Sequence, residues 1–268
     1  MFKSTRRFML AAAGVAVFSL NFSCTSDEAI SPGQSSEALD QRIPSEVVNK
    51  LQELCFYTGD LYMQDGNYVV EGDIIISPAE LASLTDEVNT TGPNGEQYRT
   101  CNIVSAPRTI TVTGSGLTST QDAALDMAVE NFNQLGISLV FQRVYSGKAD
   151  ITVRNRTSSS AGGSAGFPSN GGKPYGSVTI YSGTDVYGLD VVEHVMTHEI
   201  GHCVGLRHTD YFNRSYSCGS GGNEGGCAIH IPGTPTGADR NSVMLACFSA
   251  NESGEFSSAD KTALQYLY

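Results

Sequence analysis

The most constraining feature of the sequence is the segment His-Glu-Ile-Gly-His-Cys-Val-Gly-Leu-Arg-His at residues 198–208. Residues four apart lie on one face of a helix, so the spacing predicts that His198 and His202 bind one metal ion. Gly205 can adopt the left-handed conformation that ends a helix, which would turn the chain and bring His208 to the same ion. Three neutral His ligands leave a fourth position open, and this is typical of a catalytic zinc site.

Glu199 directly follows the first His of this segment. A carboxylate beside the ion can accept a proton from water, so we expect Glu199 to act as a general base. A bare His-Glu-x-x-His pattern arises by chance in roughly one chain in 200, and adding Gly205 and His208 lowers this to on the order of 10⁻⁵. An accidental pattern is therefore a weak alternative. A zinc site without activity is a stronger one, but the presence of Glu199 argues against it.

His194 lies four residues before His198 and shares its helical face. Three ligands in line along one helix cannot converge on one tetrahedral ion, because successive turns are about 5.4 Å apart. We therefore expect His194 to be a packing or hydrogen-bonding residue. Asp210, just after the third His, is expected either to make a bond that supports the site or to lie in a solvated loop.

The pattern His-Glu-x-x-His-x-x-Gly-x-x-His resembles that of the metzincins, and residues 198–202 spell the signature of the dual-action HEIGH metallopeptidases. The resemblance implies an α/β fold of the zincin type, with a twisted mixed sheet, an active-site helix and a small irregular C-terminal subdomain. It also implies a zinc-dependent endopeptidase that hydrolyses protein or peptide substrates. One alternative is a surface binding or adhesion protein with zinc but no turnover. Another is a zinc hydrolase that acts on non-peptide amides.

Metzincins also place a Met in a tight turn beneath the zinc, and Met244 in Asn-Ser-Val-Met-Leu is the matching residue. Its alternative role is that of an ordinary core Met that fills a gap. Astacin-like metzincins carry a Tyr two residues after the Met that can contact the reacting oxyanion. Ala246 holds that place here, so the oxyanion-binding group cannot be named from the sequence.

The segment Val-Glu-Gly-Asp-Ile at residues 70–74 resembles an element of astacin pro-segments in which the Asp occupies the open zinc position. The resemblance implies that Asp73 is a latency ligand. The alternatives are an ordinary Asp at a strand edge, or Cys55 as a thiolate ligand instead. Activation would require cleavage between the two regions of the chain, and Arg99 and Arg108 are candidate positions.

The chain begins with three basic residues and an apolar run at residues 8–22, which is typical of a secretory signal. The run is short for a membrane-spanning helix, although a retained anchor helix is the alternative. Cys24 follows where bacterial lipoproteins are lipidated, but Asn21 replaces the usual Leu three residues earlier. We expect an exported outer-membrane or cell-surface lipoprotein anchored through Cys24, or alternatively a freely secreted protein.

Charge excludes one class of partner. Removal of residues 1–23 leaves 13 basic and 28 acidic residues, a net charge of −15. Such an acidic chain lacks the basic surface that nucleic-acid binding requires. Apart from the lipid anchor, we expect a soluble monomer whose partners are its substrates.

Pattern changes divide the chain, with the main boundary near residues 90–108, where Gly, Pro and Asn interrupt the elements. The predicted units are a signal peptide at 1–23, a flexible tether at 24–43, a pro-segment at 44–100 and a catalytic metallopeptidase domain at 101–268. Residues 68–76 are predicted to form one strand. After the boundary a β-α-β-β-β-α order predicts a sheet with helices packed against it.

A Ser/Gly-rich stretch at residues 157–172 is not expected to form a buried strand, because Gly weakens strands. Substrate is expected to add as a strand to the sheet edge near residues 164–172. Six cysteines besides Cys24, in an exported chain, allow up to three disulfides. The plausible pairs are Cys218–Cys227, Cys203–Cys247 and Cys55–Cys101.

Overall fold

The computed structural model describes residues 43–54, 56–84, 97–224, 228–235 and 237–268. The predicted signal peptide and the predicted tether, apart from residue 43, lie outside these residues, and so do Cys24 and Cys55. The helices are α1 (Ser45–Glu53), α2 (Pro78–Ser83), α3 (Ser119–Asn133), α4 (Leu189–Cys203), α5 (Ser215–Cys218) and α6 (Ser258–Leu267), with a 3₁₀ helix at Ser182–Tyr187. Within the described ranges, none of the helices has the length and apolar character needed to span a bilayer.

The strands fall into three sheets. They are β1 (Tyr62–Gln64), β2 (Asn67–Val70), β3 (Ile74–Ile76), β4 (Tyr98–Arg99), β5 (Arg108–Ser115), β6 (Leu139–Arg143), β7 (Ile151–Arg156), β8 (Gly163–Ser164), β9 (Ser177–Tyr181), β10 (Leu206–Arg207) and β11 (Ile229–His230).

The main sheet has the strand order β6-β5-β7-β9-β8. Its pairs are parallel except for β8, which runs antiparallel to β9 and forms one edge. Alternation in β5 buries Ile110 and Val112 completely, in a core that they share with α3 and α4. Beyond α4 the chain forms turns, short strands and the helices α5 and α6. This architecture confirms the expected mixed sheet with an active-site helix.

The N-terminal region forms a separate antiparallel sheet of β1, β2 and β3 with its own apolar cluster. The prediction of one strand over residues 68–76 was wrong, because the chain reverses at residues 71–73 between β2 and β3. Glu71 has φ 57° and Gly72 has φ 87°, and two successive left-handed residues make a tight turn instead of extended chain. We call residues 71–73 the hairpin tip.

The hairpin tip joins the two sheets. Ile75 donates its N–H to the carbonyl of Ala165 at 2.6 Å, and Ala165 donates to the carbonyl of Asp73 at 3.0 Å. The residues after the tip therefore run parallel to the edge that begins with β8. The N-terminal sheet thus occupies the hydrogen-bonding edge of the main sheet.

Strand β8 is buried, which corrects the expectation that the Ser/Gly-rich stretch would contain no buried strand. A Cβ at Gly163 would lie 2.7 Å from Oε1 of Glu199 and 2.8 Å from the carbonyl of Thr179. Glycine is needed here because the edge strand passes directly over the active-site helix. The missing side chain, which suggested a loop, is what allows the strand to lie there.

Strand β4 lies between β10 and β11. Tyr98 is fully buried, and Gln97 donates to Oδ1 of Asp260 at 2.7 Å and to Oγ of Ser242 at 3.1 Å. Residues just before the expected start of the catalytic domain are therefore integrated into it. Arg99 and Arg108 both lie in strands.

A disulfide joins Cys218 and Cys247, so the pairs Cys218–Cys227 and Cys203–Cys247 were wrong. Helix α5 lies against the segment after Met244, and the amide of Cys247 donates to Oγ of Ser217 at 3.1 Å. Cys203 is buried in α4 and Cys101 is exposed, and neither is bonded to another cysteine that the structure describes. The remaining pair, Cys55–Cys101, cannot be compared because Cys55 lies outside the described residues.

Helices α3 and α4 meet at a buried carboxyl group. Asn131 of α3 donates to Oε1 of Glu193 of α4 at 2.7 Å. Burial raises the pKa of Glu193 from 4.5 to about 7. The folded protein therefore binds more protons than the unfolded chain between these values, and its stability falls as pH rises through this window.

Glu193→Gln should remove this loss, because an amide does not titrate. We expect the stability of the variant relative to the unsubstituted protein to increase from pH 5 to pH 8. Urea unfolding at pH 5, 6.5 and 8 measures the difference, with Glu46→Gln at an exposed position in α1 as control. A difference between the two proteins that is the same at all three pH values would contradict the prediction.

Candidate active site

Helix α4 and the turn after it bring the three predicted His ligands together. His198 and His202 lie one turn apart in α4, and their Nε2 atoms are 2.9 Å apart. The helix ends at Val204, and Gly205 has φ 108°, as expected for a left-handed helix end. The short strand β10 then returns the chain, so that His208 completes the cluster.

The other nitrogen of each His ring faces an oxygen that can only accept a hydrogen bond. Nδ1 of His198 donates to the carbonyl of Val243 at 2.7 Å, and Nδ1 of His202 donates to the carbonyl of Leu206 at 2.9 Å. Nδ1 of His208 donates to Oε1 of Glu224 at 2.8 Å. When the rings are neutral, as metal binding requires, these acceptors hold the proton on Nδ1 and leave the lone pair on Nε2. Three lone pairs thus point toward one place, which is the chemistry of a metal site.

Asp73, at the hairpin tip, adds an oxygen to this cluster. Its Oδ2 lies 3.2 Å from Nε2 of His198, 3.1 Å from Nε2 of His208 and 3.9 Å from Nε2 of His202. The four ligand atoms all lie within 4.8 Å of one another, and all four residues are buried. The structure therefore places Asp73 where a fourth ligand would bind.

Charge interactions tie Asp73 to the His cluster. Burial alone would raise the pKa of Asp73, but the charge of His208 and hydrogen bonds from His198 and His208 hold it well below its usual value. Burial would lower the pKa of His208, but Asp73 and Glu224 raise it well above its usual value. Asp73 is thus held as a carboxylate against the imidazoles.

Glu199 lies beside the cluster and is 1% exposed. Burial and the nearby charge of Asp73 raise its pKa well above the usual value. Glu199 lines a cleft together with His198, Gly163 and the apolar side chains of Leu245 and Phe248. A buried carboxyl group with a raised pKa, open to a cleft at the ligands, is suited to take up and return a proton.

The sequence model of the family described as dual-action HEIGH metallo-peptidase matches residues 68–268, which include the hairpin tip and the whole His cluster. The chain belongs to this family. It is a metallopeptidase, a hydrolase that acts on protein or peptide substrates. No curated protein matches the chain.

Two solved structures of myroilysin resemble this HEIGH metallopeptidase, each at 16% sequence identity. One covers 64% of this chain and 98% of its own, with a TM-score of 0.45. The other covers 73% of this chain and 98% of its own, with a TM-score of 0.44. These scores are too low to carry any property of myroilysin over to this chain.

Met244 is fully buried beneath the active-site helix of the HEIGH metallopeptidase. A Cβ at position 201 would lie only 2.7 Å from Sδ of Met244, so glycine at this position leaves room for the Met side chain. Asp210 is also fully buried, and it accepts hydrogen bonds from the amide of Ala246 at 2.9 Å and from Ser217 at 2.6 Å. It therefore connects the segment after His208 to the turn after Met244.

His194 is buried one turn before His198 but is not part of the ligand cluster. Its Nδ1 lies 4.0 Å from a carboxylate oxygen of Glu252. Burial, followed by the charge of His198, lowers the pKa of His194 to about 3. These contacts place His194 in the wall of the cleft, as a neutral side chain.

Sequence reasoning did not find the charged residues around His208 in this HEIGH metallopeptidase. Arg214 donates to Oδ2 of Asp60 at 2.6 Å and lies 3.2 Å from Oε1 of Glu224. Arg207 donates to Oε2 of Glu71 at 2.5 Å. Glu71 and Arg207 are 136 positions apart, and no local pattern in the sequence indicates their contact.

Proposed function

We propose that this metallopeptidase is an endopeptidase that uses a zinc ion held by His198, His202 and His208, with Glu199 as general base. The observation that supports this best is the convergence of three Nε2 atoms whose rings are each fixed by an acceptor at Nδ1. Nitrogen and oxygen ligands of this kind and number suit zinc in a catalytic site. A zinc ion bound there would polarise the scissile carbonyl and lower the pKa of a bound water toward neutrality.

Glu199 supplies the proton transfers. Its carboxylate accepts a proton from the attacking water as the water oxygen bonds to the carbonyl carbon of the substrate. The same carboxyl group then gives the proton to the amine nitrogen as the C–N bond breaks. The burial that raises the pKa of Glu199 helps it to hold the proton between the two transfers.

The substrate binds by adding a strand to the edge at β8. Backbone groups of this edge already pair with the chain after the hairpin tip, through Ala165 and residues 73 and 75. An extended peptide can use the same N–H and C=O groups once the tip has left. Main-chain pairing of this kind fixes the peptide beside Glu199.

We further propose that the uncleaved chain is latent. Asp73 supplies a carboxylate oxygen at the place of the fourth ligand, so it excludes the water that Glu199 would activate. The tip is held by strand pairing to β8 and by the buried pair of Glu71 and Arg207. Latency therefore rests on a ligand and on a blocked sheet edge.

Activation requires a cut between the N-terminal sheet and strand β4. We propose that it falls before Gln97, because the Gln97 side chain binds Asp260 and Tyr98 is fully buried between β10 and β11. A cut at Arg99 or Arg108 would interrupt a strand. Export and anchoring through Cys24 remain a proposal from the sequence, and labelling with a radioactive fatty acid would test the anchor.

Removal of the metal tests the proposed function. We expect the full chain, activated by limited proteolysis, to cleave a mixture of peptides and to lose this activity when a zinc chelator is added. Zinc should restore it, and magnesium should not, because magnesium prefers oxygen ligands. Metal without peptide cleavage would instead indicate a binding protein. Cleavage confined to non-peptide amides would indicate the alternative zinc hydrolase, which does not act on peptides.

A further inference from the structure

Arg207 is a buried cation directly before the ligand His208. Its side chain is 2% exposed, and its guanidinium lies 5.6 Å from the ring centre of Phe56 and 5.7 Å from that of Phe167. Oε2 of Glu71 accepts a hydrogen bond from Arg207 at 2.5 Å. A planar guanidinium beside aromatic rings and a carboxylate forms a site that selects an anion.

The hairpin tip presents two carboxylates at once. Asp73 contacts the His cluster, and Glu71, two residues earlier, contacts Arg207. Glu71 adopts φ 57°, a conformation that is uncommon for a residue other than glycine. The tip is therefore shaped so that one carboxylate reaches the metal ligands while the other reaches Arg207.

Release of the N-terminal sheet changes the local charge. In the uncleaved chain, Arg207 and Arg214 face three carboxylates, those of Glu71, Asp60 and Glu224. Glu71 and Asp60 belong to the part that leaves. Two arginines then share Glu224, which also binds His208. The formal charge of this group, counted with every carboxyl group ionised, changes from −1 to +1, in a protein whose formal total is −12.

Release also uncovers Arg207. Two of the groups that bury it, Glu71 and Phe56, leave with the N-terminal sheet, whereas Phe167 stays as a wall. A carboxylate oxygen of Glu71 lies within 4.8 Å of a ring nitrogen of His208, so the guanidinium that binds Glu71 lies near the ligand cluster. A substrate in the cleft would meet it on one side of the ligand cluster.

We propose that Arg207 is a specificity residue of the active enzyme, and that it binds the carboxylate of an Asp or Glu side chain about two positions from the scissile bond. Glu71 imitates that side chain in the uncleaved protein. This inference rests on the proposed peptidase function. It predicts a preference on one side of the bond only, because Arg207 lies on one side of the His cluster.

Matched peptides test the proposal. The full chain, loaded with zinc and activated by limited proteolysis, is given peptides that differ by Glu or Gln at one of the three positions on each side of the cleaved bond. We expect one position to favour Glu in kcat/KM by roughly tenfold, as for a charge-assisted hydrogen bond partly shielded from water. Added salt should reduce this ratio.

Variants of Arg207 test whether this residue causes the preference for Glu in the substrate. Arg207→Gln should lose the preference for Glu, and Arg207→Glu should favour Lys at the same position. Arg154→Gln is the control, because Arg154 is exposed and hydrogen-bonds Ser177. Zinc content and cleavage of a peptide without charged residues show whether each variant keeps its site. If the Arg207 variants lose zinc, the unsubstituted enzyme provides the test. Its kcat/KM should favour Glu over Gln at one position, and added salt should reduce that preference; a preference that salt leaves unchanged would overturn the proposal.

The results separate this inference from the proposed function. Absence of any chelator-sensitive peptide cleavage would overturn the proposed function itself. Chelator-sensitive cleavage with equal rates for Glu and Gln at all six positions would overturn the role of Arg207 alone. A preference for Glu that Arg207→Gln leaves unchanged in a zinc-loaded enzyme would also overturn it.

Discussion

Glu199→Gln should keep the metal and lose peptide hydrolysis. Glutamine has nearly the same shape as glutamate but cannot accept the proton of the attacking water, and general-base catalysis contributes roughly 10²–10⁴-fold to such rates. The three His side chains and the acceptors at their Nδ1 atoms are untouched by the substitution. Zinc content by elemental analysis and kcat/KM for a peptide, on the full chain after activation, measure the two effects.

Glu193→Gln is the matched control for this experiment. It makes the same chemical change on the same helix, but Glu193 faces Asn131 of α3 and not the ligand cluster. We expect it to retain both zinc and activity. Activity of Glu199→Gln within a factor of about ten of the unsubstituted enzyme would exclude Glu199 as the base, given the size of the effect expected above.

Asp73→Ala should make the uncleaved chain active. Asp73 is a buried carboxylate 3.1 Å from His208 and 3.2 Å from His198, so its loss opens the fourth ligand position to water. The gain should fall short of that produced by cleavage, because the backbone of residues 73 and 75 still pairs with Ala165 at the sheet edge. Initial rates on the intact chain, with mass spectrometry to confirm that it is uncut, give the measurement.

Asp65→Asn is the control for latency. Asp65 lies in the turn between β1 and β2, and its ion pair with Arg156 is exposed. Its φ of 49° is one that asparagine tolerates, so the substitution should not disturb the sheet. We expect this variant to remain as latent as the unsubstituted chain. Unchanged latency in Asp73→Ala would remove Asp73 from this role and leave the blocked edge at β8 as its cause.

Short-range patterns predicted the central helix and its end. The spacing of His198 and His202 depends only on the helical repeat, and the turn at Gly205 depends on the conformation of one residue. The N-terminal cap of α6 is a local feature of the same kind. Ser257 accepts a hydrogen bond from the amide of Asp260, as a residue at that position should. Each of these features is decided within one or two turns of chain.

Features that depend on distant partners could not be predicted in this way. Residues 68–76 are rich in β-branched side chains, and nothing local distinguishes one strand from two strands joined at Glu71 and Gly72. Gly163 is suited to the edge strand only because Glu199 lies against it. The pairing of Cys218 depends on how α5 packs against the chain near Cys247. These outcomes are fixed by tertiary contacts.

In the enzyme that the proposed cut before Gln97 would release, the first residues help to build the candidate metal site. Gln97 binds Asp260, which also accepts from the amide of Val243, and the carbonyl of Val243 orients His198. An activated enzyme that lost residues 97–100 to an aminopeptidase would lose the anchor of Asp260 and strand β4 as well. We therefore expect the working lifetime of the cleaved enzyme among other peptidases to depend in part on how well this new N-terminus resists trimming.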